Sequence, residues 1–207
     1  MNIDRLFFPS RCIFCGKVIG FYKAFCDDCI KYSKEPVRYK KLCNGIVCIS
    51  RFRHEGLARR AMLSFKYNDY RQFYLQYSII LSEVIKNELS DISFDFYTCV
   101  PPHKHNAGKL HFYGVRAIAV HTAKRNNVVF RETLYESRNI DSQHKLNAAQ
   151  RRTNVLDAYR VINKDEVRDK TILIFDDIVT TGATLTACTN ELLKAGAKKV
   201  YCITVNH

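Results

Sequence analysis

The stretch 171-TILIFDDIVTTGA-183 decides how this chain folds. Ile172, Leu173, Ile174 and Phe175 form an unbroken run of bulky apolar residues, as a strand covered on both faces requires. Two adjacent acids, Asp176 and Asp177, follow at the strand's carboxyl end, where ligands of open α/β sheets bind. Gly182 then relaxes the backbone, and residues 184–195 read as a helix with Leu185, Cys188, Leu192 and Leu193 on one side. A loop at a helix N-terminus offers free N–H groups and the positive end of a dipole, which suits an anion. Thr180, Thr181 and Thr184 add hydroxyl donors at the same spot. Carboxylates beside a phosphate would repel it, so the acid pair should face sugar hydroxyls or Mg²⁺. Phosphate at one end and ribose at the other describe a ribose-phosphate site. The competing reading is a phosphate-free turn with a surface Asp pair; loop chemistry and strand–helix context together argue against it.

The second strong pattern lies near the N-terminus. Cys12-x₂-Cys15 and Cys26-x₂-Cys29 place two CxxC knuckles within eighteen residues. Four thiolates so spaced can close a tetrahedron around Zn²⁺, and a segment this short has no core of its own. Gly16 suits the tight turn of a knuckle. A disulfide pair is the rival, as is a redox role for one knuckle, but MNIDRLFF has neither the apolar stretch nor the cleavage site of a signal peptide. Paired CxxC motifs beside further cysteines suit a reducing cytoplasm. Cys43 and Cys48 read as core or unpaired thiols, and Cys99, Cys188 and Cys202 as small buried hydrophobes.

At 207 residues the chain accommodates a zinc-knuckle module over 1–45 and one α/β domain over 46–207. No stretch approaches the ~20 apolar residues of a membrane span, so membrane insertion is not expected. The formal charge of +13 is uneven. Residues 31–71 carry eleven Lys or Arg against three acids, and residues 103–152 carry ten against three. Phe52, Phe65, Tyr67, Tyr70, Phe73 and Tyr74 interleave with the first tract. Cations that follow phosphates, with rings that stack on bases, are the chemistry of single-stranded nucleic-acid binding. The candidate contacts are Lys40, Lys41, Arg51, Arg53, Arg59, Arg60 and Lys66. A solvated basic face over core aromatics is the plainer alternative.

Between the two motifs the pattern predicts strands over 46–52, 93–100, 127–135, 157–162 and 199–205, and helices over 56–67, 71–89 and 113–124. A polar stretch over 136–154 interrupts them, with a helical piece around 146–152. The alternation is that of a βαβ series with a parallel sheet.

Residues 172–184 resemble the phosphoribosyl-pyrophosphate (PRPP) loop of the type I phosphoribosyltransferases: four apolar residues, two acids, two apolar residues, then T-T-G-x-T. The resemblance implies a parallel sheet flanked by helices. It also implies that Asp176 and Asp177 hold the ribose 2′ and 3′ hydroxyls while Thr180, Thr181, Gly182, Ala183 and Thr184 wrap the 5′-phosphate, with Mg²⁺ accompanying PRPP. The segment after 136 corresponds to a lid whose Arg138, Lys145 and Arg151 would neutralise pyrophosphate, joined by His103 and Lys104 from the loop after the Pro101-Pro102 strand exit.

A Cys₄ knuckle ahead of such a domain is similar to the ComF family of competence proteins. Phe65-Lys66-Tyr67 resembles that family's F/L-K-Y, and Val100, Pro101 and His103 its V-P-x-H. Gln143, Leu146, Arg151, Asn154, Ala158 and Tyr159 fit Q-x₂-L-x₄-R-x₂-N-x₃-A-F/Y. Where the family shows R-G-F-N-Q, this chain has Leu110-His111-Phe112-Tyr113-Gly114, so only the Phe is kept. The resemblance implies DNA uptake in natural transformation, with PRPP, single-stranded DNA, a helicase-like protein and recombination loaders as partners. Catalysis stays open: Thr180 stands where purine-base transferases commonly carry an Asp, while orotate-type enzymes also have a hydroxyl there. A nucleobase salvage transferase and a PRPP-sensing regulator are the alternatives. The oligomeric state is left open.

Overall fold

The computed structural model describes residues 9–20, 22–67, 72–102, 113–137 and 158–207. Its centre is a six-stranded sheet. The strands are β1 (Arg38–Lys41), β2 (Val47–Phe52), β3 (Phe96–Cys99), β4 (Val129–Phe130), β7 (Thr171–Ile178) and β8 (Lys199–Asn206), in the order β1-β2-β8-β7-β3-β4. Only β1 runs antiparallel to its neighbour; every other pairing is parallel. A separate antiparallel ribbon joins β5 (Leu134–Glu136) to β6 (Tyr159–Val161).

Among the described residues, four helices cover the sheet: α1 (Gly56–Tyr67), α2 (Phe73–Glu88), α3 (Gly114–Arg125) and α4 (Ala183–Lys194). Alternation along β7 assigns them to faces. Leu173 and Phe175 share a buried cluster with α1, α2 and α3, whereas Ile172 and Ile174 share one with Leu185, Cys188 and Leu192 of α4. Both faces are covered, which explains why the apolar run is continuous rather than alternating.

The expected helices and most strands are present within a few residues. The predicted strand over 127–135 is instead two short ones, because Arg131 and its neighbours turn the chain from the sheet edge into the ribbon. Strand β1 has no counterpart in the sequence reading. Its residues are Arg, Tyr, Lys and Lys, a pattern with no apolar alternation, and it exists because it hydrogen-bonds to β2. The sheet therefore begins at Arg38, inside the first 45 residues. The helical piece expected around 146–152 lies outside the described residues.

The cysteine-rich segment docks on the sheet through aromatic rings. Phe14 stacks against Phe25 at 5.2 Å and meets Phe52, the last residue of β2, edge-on at 5.5 Å. Arg51 is buried beneath this junction; its guanidinium donates to the carbonyls of Ser33 and Glu35 (2.8 Å for the latter) and lies over the Phe52 ring. Among the described residues, no helix is long and apolar enough to cross a membrane.

Candidate functional site

The acid pair stands where β7 leaves the sheet, at the carboxyl end of the parallel strands. Asp176, Asp177, Ile178 and Thr184 line a cavity of about 400 Å³. Phe65, Lys66 and Tyr67 from the end of α1 form another wall, with Val100, Pro101 and Pro102 after β3, Tyr113 and Val115 at the start of α3, and Tyr159 of β6 completing it. Five separate elements thus converge on two carboxylates. A broader groove of about 900 Å³ lies between α2 and the end of α3, at the opposite end of β3, and holds none of these residues.

The carboxylates are held differently. The Asp177 backbone N–H donates to Asp176 Oδ1 at 2.8 Å. Lys66 Nζ lies 2.7 Å from Asp177 Oδ2, and the two side chains keep 29% and 18% of their surface exposed. Asp176 presents part of its surface to the cavity, yet its carboxyl sits deep in the protein. Burial first and the neighbouring Asp177 charge second push it up to about 8, against the opposing pull of the Asp177 N–H and Lys66. The acid pair therefore takes up less negative charge at neutral pH than two free aspartates would.

The loop after the acids leads directly into α4. Gly182 adopts φ +81°, the left-handed region that admits glycine readily, and its carbonyl accepts from the Thr186 N–H at 2.8 Å to start α4. The Ala183 N–H is 3.3 Å from Thr181 Oγ1, and Val179 N–H bonds Asn206 O at 3.0 Å, tying the loop to β8. Thr180 and Thr181 are exposed beside the cavity, Ala183 and Thr184 are half-buried, and Gly182 is buried against the turn between β1 and β2. That turn is itself clamped to α4, where Asn44 Nδ2 donates to Thr189 Oγ1 and Asn190 Oδ1. Of the seven expected PRPP-contact residues, the cavity walls include Asp176, Asp177 and Thr184.

The second centre is the cysteine cluster. The Sγ atoms of Cys12, Cys15, Cys26 and Cys29 lie within 4.8 Å of one another, and Cys15 and Cys26 approach to 3.5 Å. A tetrahedron of Zn–S bonds of about 2.3 Å places sulfurs ~3.8 Å apart, so the spacing fits a metal ion such as zinc. Each knuckle has its turn: the Gly16 N–H bonds Cys12 O at 2.9 Å, with Gly16 at φ +75°, and the Ile30 N–H bonds Cys26 O at 2.9 Å. Burial raises the Cys26 thiol, but hydrogen bonds from Cys15 and the Cys29 backbone outweigh it and bring it down to about 7. Cys43 and Cys48 do not join the cluster; Cys48 is buried in β2, where burial pushes its thiol up to about 12, and Cys43 is exposed.

The residues expected to meet nucleic acid are divided. Arg53, Arg59, Arg60 and Lys41 are exposed, and Lys40 is half-buried on the face of β1 that also carries Leu42. Arg51 is corrected: its guanidinium is committed to two backbone carbonyls under the cysteine segment and cannot reach a phosphate. Lys66 is paired with Asp177 on the wall of the cavity. Among the interleaved aromatics, Phe52, Phe65 and Phe73 are core residues at 3% exposure, so they cannot stack on bases, while Tyr67 is open at 78%. Sequence reasoning missed Lys66's position because a basic tract records charge and not direction. His103, Lys104, Arg138, Lys145 and Arg151 lie outside the described residues.

Among solved structures, the chain is similar to the glutamine PRPP amidotransferase from B. subtilis complexed with ADP and GMP, at 17% identity and TM-score 0.45, over 69% of this chain and 30% of that one. An allosteric regulatory enzyme of purine biosynthesis is likewise spanned over only 30% of its length, with 69% of this chain covered, at 16% identity and TM-score 0.46. Adenine phosphoribosyltransferase from Saccharomyces cerevisiae shares 12% identity over 88% of this chain and 90% of its own, at TM-score 0.44. No curated protein matches the chain. Residues 109–206 match the family model described as the phosphoribosyl transferase domain. The mostly parallel sheet between helices is accordingly a phosphoribosyltransferase-like fold, preceded by a four-cysteine cluster.

Proposed function

We propose that this protein binds PRPP with Mg²⁺ and single-stranded DNA, as a ComF-like cytoplasmic protein of DNA uptake in natural transformation, with a structural zinc ion on Cys12, Cys15, Cys26 and Cys29. The observation that carries the PRPP reading is the convergence of Asp176, Asp177 and Thr184 on one cavity at the mouth of the hydroxyl-rich loop. The acids accept from the ribose hydroxyls and the loop's N–H groups and threonines take the 5′-phosphate. Mg²⁺, when bound, would supply charge that pyrophosphate requires, and Arg138, Lys145, Arg151, His103 and Lys104 are the residues that would neutralise the remainder. Should transfer occur, an acceptor nucleophile attacks the ribose C1 carbon as pyrophosphate departs.

The DNA reading is supported by the exposed Arg53, Arg59 and Arg60, which follow β2 and open α1, the helix whose last residue, Tyr67, is exposed on the cavity wall; Lys41 is exposed on β1, opposite Val47. Competence helicase-like and recombination-loader proteins are the partners this role entails. The cysteine segment pins the N-terminus to β2 through Phe14, Phe25 and Phe52, which suits a structural metal.

The test is a calorimetric titration of PRPP with Mg²⁺, repeated with a short single-stranded oligonucleotide present. Binding of both is expected, with salt-dependent DNA affinity. PRPP binding without any DNA response moves the assignment to a salvage transferase, and no PRPP binding removes the ribose-phosphate reading altogether.

A further inference from the structure

The ribose-phosphate reading leaves one site residue unexplained. Lys66 is on neither β7 nor the loop; it comes from the last turn of α1, yet its ammonium reaches Asp177. The helix that carries it is fixed. Ala61, Met62 and Phe65 are buried in the core, and the Phe65 ring meets Tyr77 of α2 edge-on at 5.3 Å. A cation at a helix C-terminus is also favoured by the dipole there.

The geometry leaves each acid with one oxygen in use and one open. Asp176 Oδ1 accepts from the Asp177 N–H and Asp177 Oδ2 faces Lys66 Nζ. Among the described residues, no hydrogen bond reaches Asp176 Oδ2 or Asp177 Oδ1. Both acids line the same cavity, so each presents one acceptor to the hydroxyls of a sugar bound there. Without a cation on Oδ2, Asp177 would lose the partner that fixes its side chain and turn toward water, and the second acceptor would lose its aim.

We propose that Lys66 is the positioning residue of the acid pair: its ion pair orients Asp177 so that the site takes a ribose phosphate and rejects a 2-deoxyribose phosphate. The inference rests on the ribose-phosphate reading above. A 2-deoxy sugar leaves one carboxylate oxygen unpaired in a half-buried site, which corresponds to about a 10- to 100-fold loss of affinity. Removing Lys66 lowers affinity for the ribo ligand and leaves the deoxy ligand nearly unchanged, so the ratio collapses.

The experiment measures dissociation constants of ribose 5-phosphate and 2-deoxyribose 5-phosphate for the full chain, Lys66→Met and Lys66→Arg, with melting curves for each. The unmodified chain is expected to prefer ribose 5-phosphate by about 10- to 100-fold. Lys66→Met should bring the ratio within about threefold at an unchanged melting temperature, and Lys66→Arg should restore most of it. If Lys66→Met is unfolded, Lys66→Gln, which keeps most of the stem length without the charge, takes its place. A folded Lys66→Met or Lys66→Gln that keeps the discrimination overturns the role of Lys66. Failure of the unmodified chain to bind either sugar phosphate overturns the site reading itself, so the two failures are distinguishable.

Discussion

Leu42 leans on the backbone of Gly182 so closely that a Cβ there would lie 2.7 Å from Leu42 Cδ2. This packing joins two parts of the chain about 140 residues apart: the turn after β1 and the loop expected to hold phosphate. It makes the hairpin of β1 and β2 one wall of that loop. The requirement for glycine is thus twofold, because φ at this position is +81° as well.

Gly182→Ala should therefore destabilise the protein by about 1–3 kcal/mol, from left-handed strain and overpacking together. In a chain of this size that lowers the melting temperature by about 2–4 °C per kcal/mol. Adding Leu42→Ala removes the clash but not the strain, so the double variant should show coupling between the two sites in a thermodynamic cycle. Simple additivity would mean that Leu42 exerts no pressure on the loop.

Asp176→Asn with Asp177→Asn should abolish PRPP binding, lowering affinity by more than about 100-fold, while the fold is kept. Calorimetry alongside circular dichroism separates the outcomes; disappearance of the folded signal would make the pair structural.

The pH dependence of stability follows from Asp176. Its folded pKa, about 8, stands above the ordinary 3.8, so the folded state holds the proton more tightly than the unfolded chain does. The stabilisation is complete below the unfolded value and is lost as pH rises toward 8. The ligand-free protein should melt at progressively lower temperature between pH 5 and pH 8 on this account, as the carboxylate is forced to ionise in a buried place. Asp176→Asn should flatten that slope and melt higher at pH 8, as read by differential scanning fluorimetry.

Cys12→Ser and Cys26→Ser should each bring zinc from about one ion per chain to near zero by elemental analysis of the purified protein. Both should also melt earlier, since Phe14 and Phe25 would lose the segment that presents them to Phe52. Full metal content in either variant would rule out the four-thiolate site.

Arginines that share a basic tract should behave in opposite ways. Arg59→Ala with Arg60→Ala should weaken single-stranded DNA binding and reduce its salt slope by about one unit for each phosphate no longer neutralised, with the melting temperature unmoved. Arg51→Met should lower the melting temperature, because the Ser33 and Glu35 carbonyls lose their donor. An intact melting temperature in Arg51→Met would mean those carbonyls find water instead.

By itself the sequence determined what is local. A buried parallel strand needs a continuous apolar run, a helix start after a tight turn needs glycine and hydroxyls, and a metal knuckle needs CxxC and a small residue. These are nearest-neighbour requirements, so β7, the loop, α4 and both knuckles were legible at once. Strand β1 was not, because Arg38, Tyr39, Lys40 and Lys41 have no strand pattern and take up their extended form by pairing with β2. Nor was the use of each cation. Arg51, Arg59 and Lys66 are alike in a string of charges, but β2 turns the first under an aromatic junction and α1 points the second to solvent and the third to Asp177. Direction belongs to the backbone that carries a side chain, and it is set by packing between elements far apart in the chain. The tertiary structure alone decided which positive charges serve the fold, which serve the cavity and which remain open at the surface.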